Sequence, residues 1–152
     1  MTIRQVTERK KRYLDLLLLA DEQEDMIDRY LERAIMYVLE ENGQIIAQCA
    51  LTDEGGGVLE LKSLSVLPQF QKRGYGAALI RFVEDTFRGR FHTLQVGTGD
   101  SPLTVPFYQK CGFAQHHRVK DFFPKNYDHP IVEAGVTLTD MVYLQKDMRN
   151  NR

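Results

Sequence analysis

From residue 66 to residue 79 the chain reads Val66-Leu67-Pro68-Gln69-Phe70-Gln71-Lys72-Arg73-Gly74-Tyr75-Gly76-Ala77-Ala78-Leu79, and few folds accept such a stretch. A strand-like run, Val58 to Leu67, is stopped by Pro68 and turned by two closely spaced glycines. It then enters a helical pattern from about Gly74 to Arg88, with Ala78, Leu79, Phe82 and Val83 inward and Gly89 as the stop. A strand delivered straight into a helix calls for a sheet with helices laid on its faces. The first amides of such a helix lack partners inside it, and the helix dipole makes that end electropositive. Gly74 and Gly76 leave room for an anion's oxygens to reach those amides, while Lys72 and Arg73 add charge. A diphosphate suits the place. The missing Gly-Lys-Ser/Thr excludes a Walker loop, and no third glycine or downstream acid completes a dinucleotide fingerprint.

The rest of the chain fits the same mixed architecture. Thr2 to Val6 reads as a short strand, and Glu8 to Ala20 as a helix with Tyr13, Leu14, Leu17 and Leu18 facing a core. Asp21 followed by Glu24 looks like a capping box for a second helix, whose stripe is Met26, Ile27, Tyr30, Leu31 and Ala34. Ile35 to Glu40 and Gln44 to Leu51 are strands joined by the hairpin signal Glu41-Asn42-Gly43, and Asp53 to Gly57 is a loop. Phe91 to Val96 is a further strand. Ser101-Pro102 opens a short helix that Gly112 closes; Pro106 inside it implies a late start or a bend. Phe113 to Lys120 and Met141 to Lys146 are the last strands, separated by a long loop containing Pro124 and Pro130. The expected order is β-α-α-β-β-β-α-β-α-β-β, an α/β (α+β mixed sheet) fold over residues 1–152 as one domain.

Composition narrows the function. Lys plus Arg number 20 and Asp plus Glu 21, a formal net charge of −1, so bulk positive charge does not hold this chain on nucleic acid. No apolar run approaches the ~20 residues of a membrane helix, and nothing at Met1 reads as a secretory leader. Two cysteines, Cys49 and Cys111, make neither a disulfide framework nor a zinc site. The expected setting is the cytoplasm.

Two ordered motifs then carry a resemblance. Gln71-x-x-Gly74-x-Gly76 at a strand–helix junction resembles the acetyl-CoA pyrophosphate loop of the GNAT superfamily of N-acetyltransferases. About thirty residues on, Phe107-Tyr108-Gln109-Lys110-Cys111-Gly112-Phe113 is similar to that family's second mark. The likeness is sharp from about Glu60 to Phe113 and looser elsewhere. The ending, Asp121 to Leu144, resembles that of a small bacterial subgroup. It implies the GNAT-type acyl-CoA N-acyltransferase fold and acetyl-CoA bound by Gln71, Lys72, Arg73, Gly74, Tyr75, Gly76 and Ala77. It also implies pairing of the pantetheine arm with Leu64, Ser65 and Val66, with the Val66 N–H as oxyanion donor. Glu60, fourteen residues before Gly74, takes the family's place for a general base acting through water; Tyr108 takes that of the acid for the departing thiolate. Where relatives carry Asn against the pantetheine arm this chain has Asp100, a group that only accepts. Members are often dimers, so the resemblance allows a homodimer, while the sequence itself leaves the oligomeric state open. The partner implied is a small-molecule or peptide amine, with no nucleic acid and no membrane. A non-catalytic acyl-CoA-binding module, or a nucleotide-binding regulator, would keep the glycine turn without needing Glu60 or Tyr108.

Other groups are weaker signals. Cys111 lacks a partnered histidine and reads as inert. His116 and His117 are neighbours on a strand, so they should point to opposite faces and share no metal. Arg9-Lys10-Lys11-Arg12 reads as a solvated face. Asp21, Glu22, Glu24, Asp25 and Asp28 cluster where an acceptor channel is expected, as a helix cap or an attractor of cationic amines. Asp121-Phe122-Phe123, Tyr127-Asp128-His129 and Glu133 are placed in the acceptor wall.

Overall fold

The computed structural model of the chain describes residues 1–149. Along it run β1 (Thr2–Val6), α1 (Leu14–Ala20), α2 (Glu24–Asp28), β2 (Ile35–Glu41), β3 (Gln44–Asp53) and β4 (Val58–Val66). Then follow α3 (Tyr75–Phe87), β5 (Thr93–Gly99), α4 (Val105–Lys110), β6 (Ala114–Val119), α5 (Phe122–Asn126), β7 (Val132–Glu133), β8 (Val136–Thr137) and β9 (Met141–Asp147). Seven strands form one sheet in the order β1-β2-β3-β4-β5-β9-β6, and β7 pairs with β8 in a small separate hairpin. Among the described residues only the β4–β5 pairing is parallel.

The expected order holds, with local departures. The first helix begins late: Lys10–Tyr13 is a 3-10 turn, and α1 buries Leu16 and Leu17. Lys10 is drawn away to donate to the carbonyls of Leu31, Glu32 and Ala34, which closes the chain after α2. No capping box forms at α2. Gln23 occupies the cap position without a side-chain bond, and Asp21 accepts from the phenol of Tyr127. The stripe from Met26 to Ala34 is nonetheless buried as expected. Pro106 falls in the first turn of a late-starting α4. The long loop between the last strands contains a helix and a hairpin that its prolines had hidden, α5 and β7–β8.

Two apolar cores flank the sheet. α3 and α4 lie over the larger, built on Leu59, Leu61, Leu79, Val83 and Phe87; α1 and α2 cover the smaller, built on Leu17, Ile27, Met36, Val38 and Ala50. A bulge in β4 divides these faces. Ala50 stands opposite Ser63 and Leu51 opposite Leu61, which leaves Lys62 as the extra residue. Alternation therefore changes phase. Leu59 and Leu61 before the bulge, and Leu64 and Val66 after it, all pack on the α3 side. Ser63 and Ser65 turn to the other face and accept hydrogen bonds from buried Gln48. Ser65 Oγ also donates to the Leu16 carbonyl at 2.6 Å, tying α1 to the sheet.

Candidate active site

β4 and β5 are in register only as far as Leu61 opposite Val96. Beyond that point they part, although β4 continues to Val66 and β5 to Gly99. Two glycines on β5 shape the opening: a Cβ on Gly97 would lie 2.8 Å from the Tyr143 ring, and one on Gly99 would lie 2.5 Å from Leu138. Because the Leu67 N–H donates to Ile46 across β3, alternation turns the backbones of Val66 and Leu64 toward the gap. Ser65 is turned the other way, its backbone toward β3. A strand-like ligand laid in the gap would meet Leu64 and Val66.

At the end of β4 the turn is built from several devices. Gln71 Nε2 donates to the Val66 carbonyl at 3.0 Å and folds the turn against its own strand. Lys72 takes φ 63°, and Gly74, the residue before α3, takes φ 90°. Arg73 lies over the Phe70 ring and Tyr75 donates to Glu41, so both side chains anchor the turn's flanks. No side chain caps α3. The N–H groups of Tyr75, Gly76 and Ala77 make no hydrogen bond among the described residues, and the first bond across the turn is Ala78 N–H to Gly74 O. Gly76 has a second reason to be glycine: its Cβ would stand 3.2 Å from Phe107, which lets α3 and α4 pack closely beside the gap.

A cavity of about 260 Å³ opens between the parted strands. One wall is β4 and β5, from Leu61 to Leu64 and from Val96 to Gly99, with Thr104 and Tyr108 beside them. The opposite wall is the end of α1 with Asp21 and Glu22, together with Phe123, Tyr127, Ile131 and Glu133. Tyr108 is 8% exposed, and burial pushes its phenol well above the ordinary value, with Cys111 and Glu133 adding to the shift. It stays protonated through neutral pH.

Glu60 lies behind this wall. It is 5% exposed and absent from the cavity lining, and its carboxylate is engaged on both oxygens. Gln95 donates to Oε1 at 2.7 Å, and Lys62 Nζ stands 3.0 Å from Oε2. Gln145 in turn donates to Gln95, closing a half-buried polar chain. Asp100 also turns from the gap, pairing with Arg118, which bridges to Asp140. Of the acidic cluster only Asp21 and Glu22 reach the cavity; Glu24 and Asp28 hold Lys11. Burial raises the Asp21 carboxyl, opposed by the hydrogen bond from Tyr127. Of the residues placed in the acceptor wall, Phe123, Tyr127 and Glu133 line the cavity, and Asp121, Phe122, Asp128 and His129 do not.

The histidine pair departs from simple alternation. A slip in the β6–β9 register at His116 brings its Nδ1 within 2.8 Å of the Nδ1 of His117, which stacks on Tyr143. Among the described residues no three His, Cys, Asp or Glu side chains gather as a metal site would need. No helix among them is long and apolar enough to cross a membrane. Sequence reasoning missed Gly97, Thr98 and Gly99; two glycines ending a strand were the available signal.

Comparison with known proteins agrees with this geometry. Residues 32–115, more than half of the chain, match the model of the acetyltransferase (GNAT) domain. An uncharacterised N-acetyltransferase of Bacillus subtilis, YvbK, is 35% identical over 136 residues, 88% of each chain. A GNAT family acetyltransferase from Elizabethkingia anophelis, solved with acetyl-CoA bound, superposes with a TM-score of 0.90 at 34% identity, over 96% of this chain and 97% of its own. A Bacillus subtilis acetyltransferase solved with CoA gives 0.86 at 33% identity, over 95% and 97%. With its parted strands, its uncapped helix start and these relatives, the chain belongs to the GNAT family of acetyltransferases.

Proposed function

We propose that this protein transfers the acetyl group of acetyl-CoA directly to a primary amine, both substrates being bound together. Acetyl-CoA is the cosubstrate. The observation that carries the reading is the gap between β4 and β5, with uncapped amides at one end and the Tyr108 phenol on its wall. The diphosphate is held by the amides of Tyr75, Gly76 and Ala77, with Gln71, Lys72, Arg73 and Gly74 forming the turn around it. The pantetheine arm lies along Leu64 and Val66, and Ser65 supports that strand from behind. The Val66 N–H meets the thioester oxygen as charge develops there.

Tyr108 serves the leaving group. The thiolate of a thiol of pKa ~8.5 is a weaker base than the phenolate that Tyr108 would become, so proton donation from Tyr108 is uphill alone. It becomes favourable when the nitrogen, acidified as its bond to the acetyl carbon forms, returns a proton to the phenol. We assign Glu60 the part of a positioning residue: it holds Lys62, and through Gln95 and Gln145 it fixes the strands where they begin to part.

Thiol release from acetyl-CoA across a panel of primary amines, with the mass of each product, tests the reading. Tyr108→Phe should lower kcat about tenfold or more while the dissociation constant for CoA stays near that of the wild type. A protein that binds acetyl-CoA yet releases thiol with no amine is the binding module instead.

A further inference from the structure

Glu133 stands on the two-residue strand β7, in a hairpin whose turn residues Ala134 and Gly135 take φ 52° and 76°. It lines the cavity, and its Oε2 is shut away from water without a hydrogen-bond donor among the described residues. A carboxylate oxygen left so is costly, and the cost is relieved when a cationic donor arrives. The cavity supplies none of its own. Among the described residues Lys62 is the one Lys or Arg on its lining, and Lys62 is spent on Glu60. Asp21 and Glu22 stand on the same lining but are held by the Tyr127 phenol and by His129, so the unpartnered charge there is that of Glu133. Glu133 and Tyr108 share the cavity, so an amine seated between them faces a proton acceptor on one side and the leaving group's donor on the other.

We propose that Glu133 receives the ammonium of the acceptor and takes its proton, and that the acceptor is therefore a cationic primary amine. This rests on the transfer reading above. At pH 7 an alkylamine is only about 0.04% neutral, so nearly every acceptor arrives charged and must be deprotonated in place. One ammonium proton passes to Glu133 and from there to solvent. The freed lone pair attacks the thioester carbon, the C–N bond forms, and the C–S bond breaks with its electron pair going to sulfur. The second nitrogen proton ends on that sulfur by way of Tyr108. The balance is one amide, one thiol and one proton released.

The groups that titrate around Glu133 in the cavity are Asp21, Glu22, Lys62, Tyr108 and Tyr127. The test compares full-length wild type, Glu133→Gln, Glu133→Asp and Glu60→Gln, with putrescine, n-butylamine and aniline as probes (the last neutral at pH 7). Glu133→Gln should lower kcat/KM for the two alkylamines about 100-fold at pH 7. The deficit should shrink about tenfold per pH unit toward the amine's own pKa, because the variant depends on amine already neutral in solution. Glu133→Asp should keep the wild-type pH profile at a lower rate, and Glu60→Gln should lose the same factor at every pH. The proposal is overturned if Glu133→Gln loses nothing, if its deficit is equal at pH 7 and pH 9, or if aniline is the preferred substrate while the alkylamines are inert. If wild type turns over no amine, the transfer reading fails separately. Calorimetry of putrescine into CoA-loaded protein then decides on Glu133: binding that Glu133→Gln weakens tenfold or more supports it, and equal or absent binding overturns it.

Discussion

Gly74 and Gly76 sit two residues apart and are glycine for different reasons. Gly74 is held at φ 90° with open space where a Cβ would go, so an alanine there pays in backbone strain alone. Gly76 has an ordinary φ and a neighbour, the Phe107 ring tip, at 3.2 Å. Gly74→Ala should cost about 1–2 kcal/mol, the penalty of a left-handed L-residue. Gly76→Ala should cost about 1–3 kcal/mol through overpacking. A second substitution separates the causes. Phe107→Leu shortens the ring that Gly76→Ala would strike, so in urea unfolding it should offset much of the loss from Gly76→Ala and none from Gly74→Ala. Equal, additive losses in both pairs would show that the two glycines act alike. Both glycines were legible in the sequence as a spacing, but the difference between them was not, because Phe107 comes from thirty residues away.

At the scale of elements, the strand–turn–helix unit was legible and the segment from residue 121 to residue 140 was not. β4, its turn and α3 follow from local signals: a β-rich run, a proline, glycines and an inward stripe. α5 and the β7–β8 hairpin are too short to announce themselves, with five residues in the one and two in each strand of the other. They are held from outside. Phe123, Ile131 and Leu138 form a small core of their own, and Tyr127 donates to Asp21 within the same wall of the cavity. His129 completes the strap, with Nδ1 against Asp128 at 2.5 Å and Nε2 against Glu22 at 2.9 Å. Both ring nitrogens then donate, so the imidazolium is the form that clasps. The two carboxylates, Asp128 first, raise its pKa above the ordinary 6.5. The clasp is thus complete below the unfolded value and is lost as pH rises through the raised one. Amide exchange across residues 122–138, corrected for intrinsic rates, should show easier opening at pH 9 than at pH 6. His129→Gln should remove that difference; a difference that persists in the variant would assign it to another group.

Across the whole molecule the sheet separates two labours. The core under α3 holds the glycine turn proposed to grip the cofactor, and the core under α1 and α2 supports one wall of the cavity. The mixed sheet was legible because its strands alternate and its helices carry stripes. The division of labour was not, since it depends on the bulge at Lys62, which exchanges the faces of β4 midway and has no local signature. On the α1 side polar contacts tie the helix to the sheet, where Ser65 holds the Leu16 carbonyl and Gln48 reaches both serines. Truncations on either side should therefore hurt different things. Leu17 and Leu79 are both fully buried, so Leu17→Ala and Leu79→Ala should each cost about 2–5 kcal/mol. For a domain of this size that lowers the thermal midpoint by about 2–4 °C per kcal/mol. Below the midpoint their kinetics should diverge. Leu79→Ala loosens α3 and raises the dissociation constant for CoA, leaving the KM for the amine near normal. Leu17→Ala loosens α1 and raises that KM, with CoA binding retained. If both variants weaken the two substrates alike, the sheet transmits each loss to the far side and the cores are one cooperative unit.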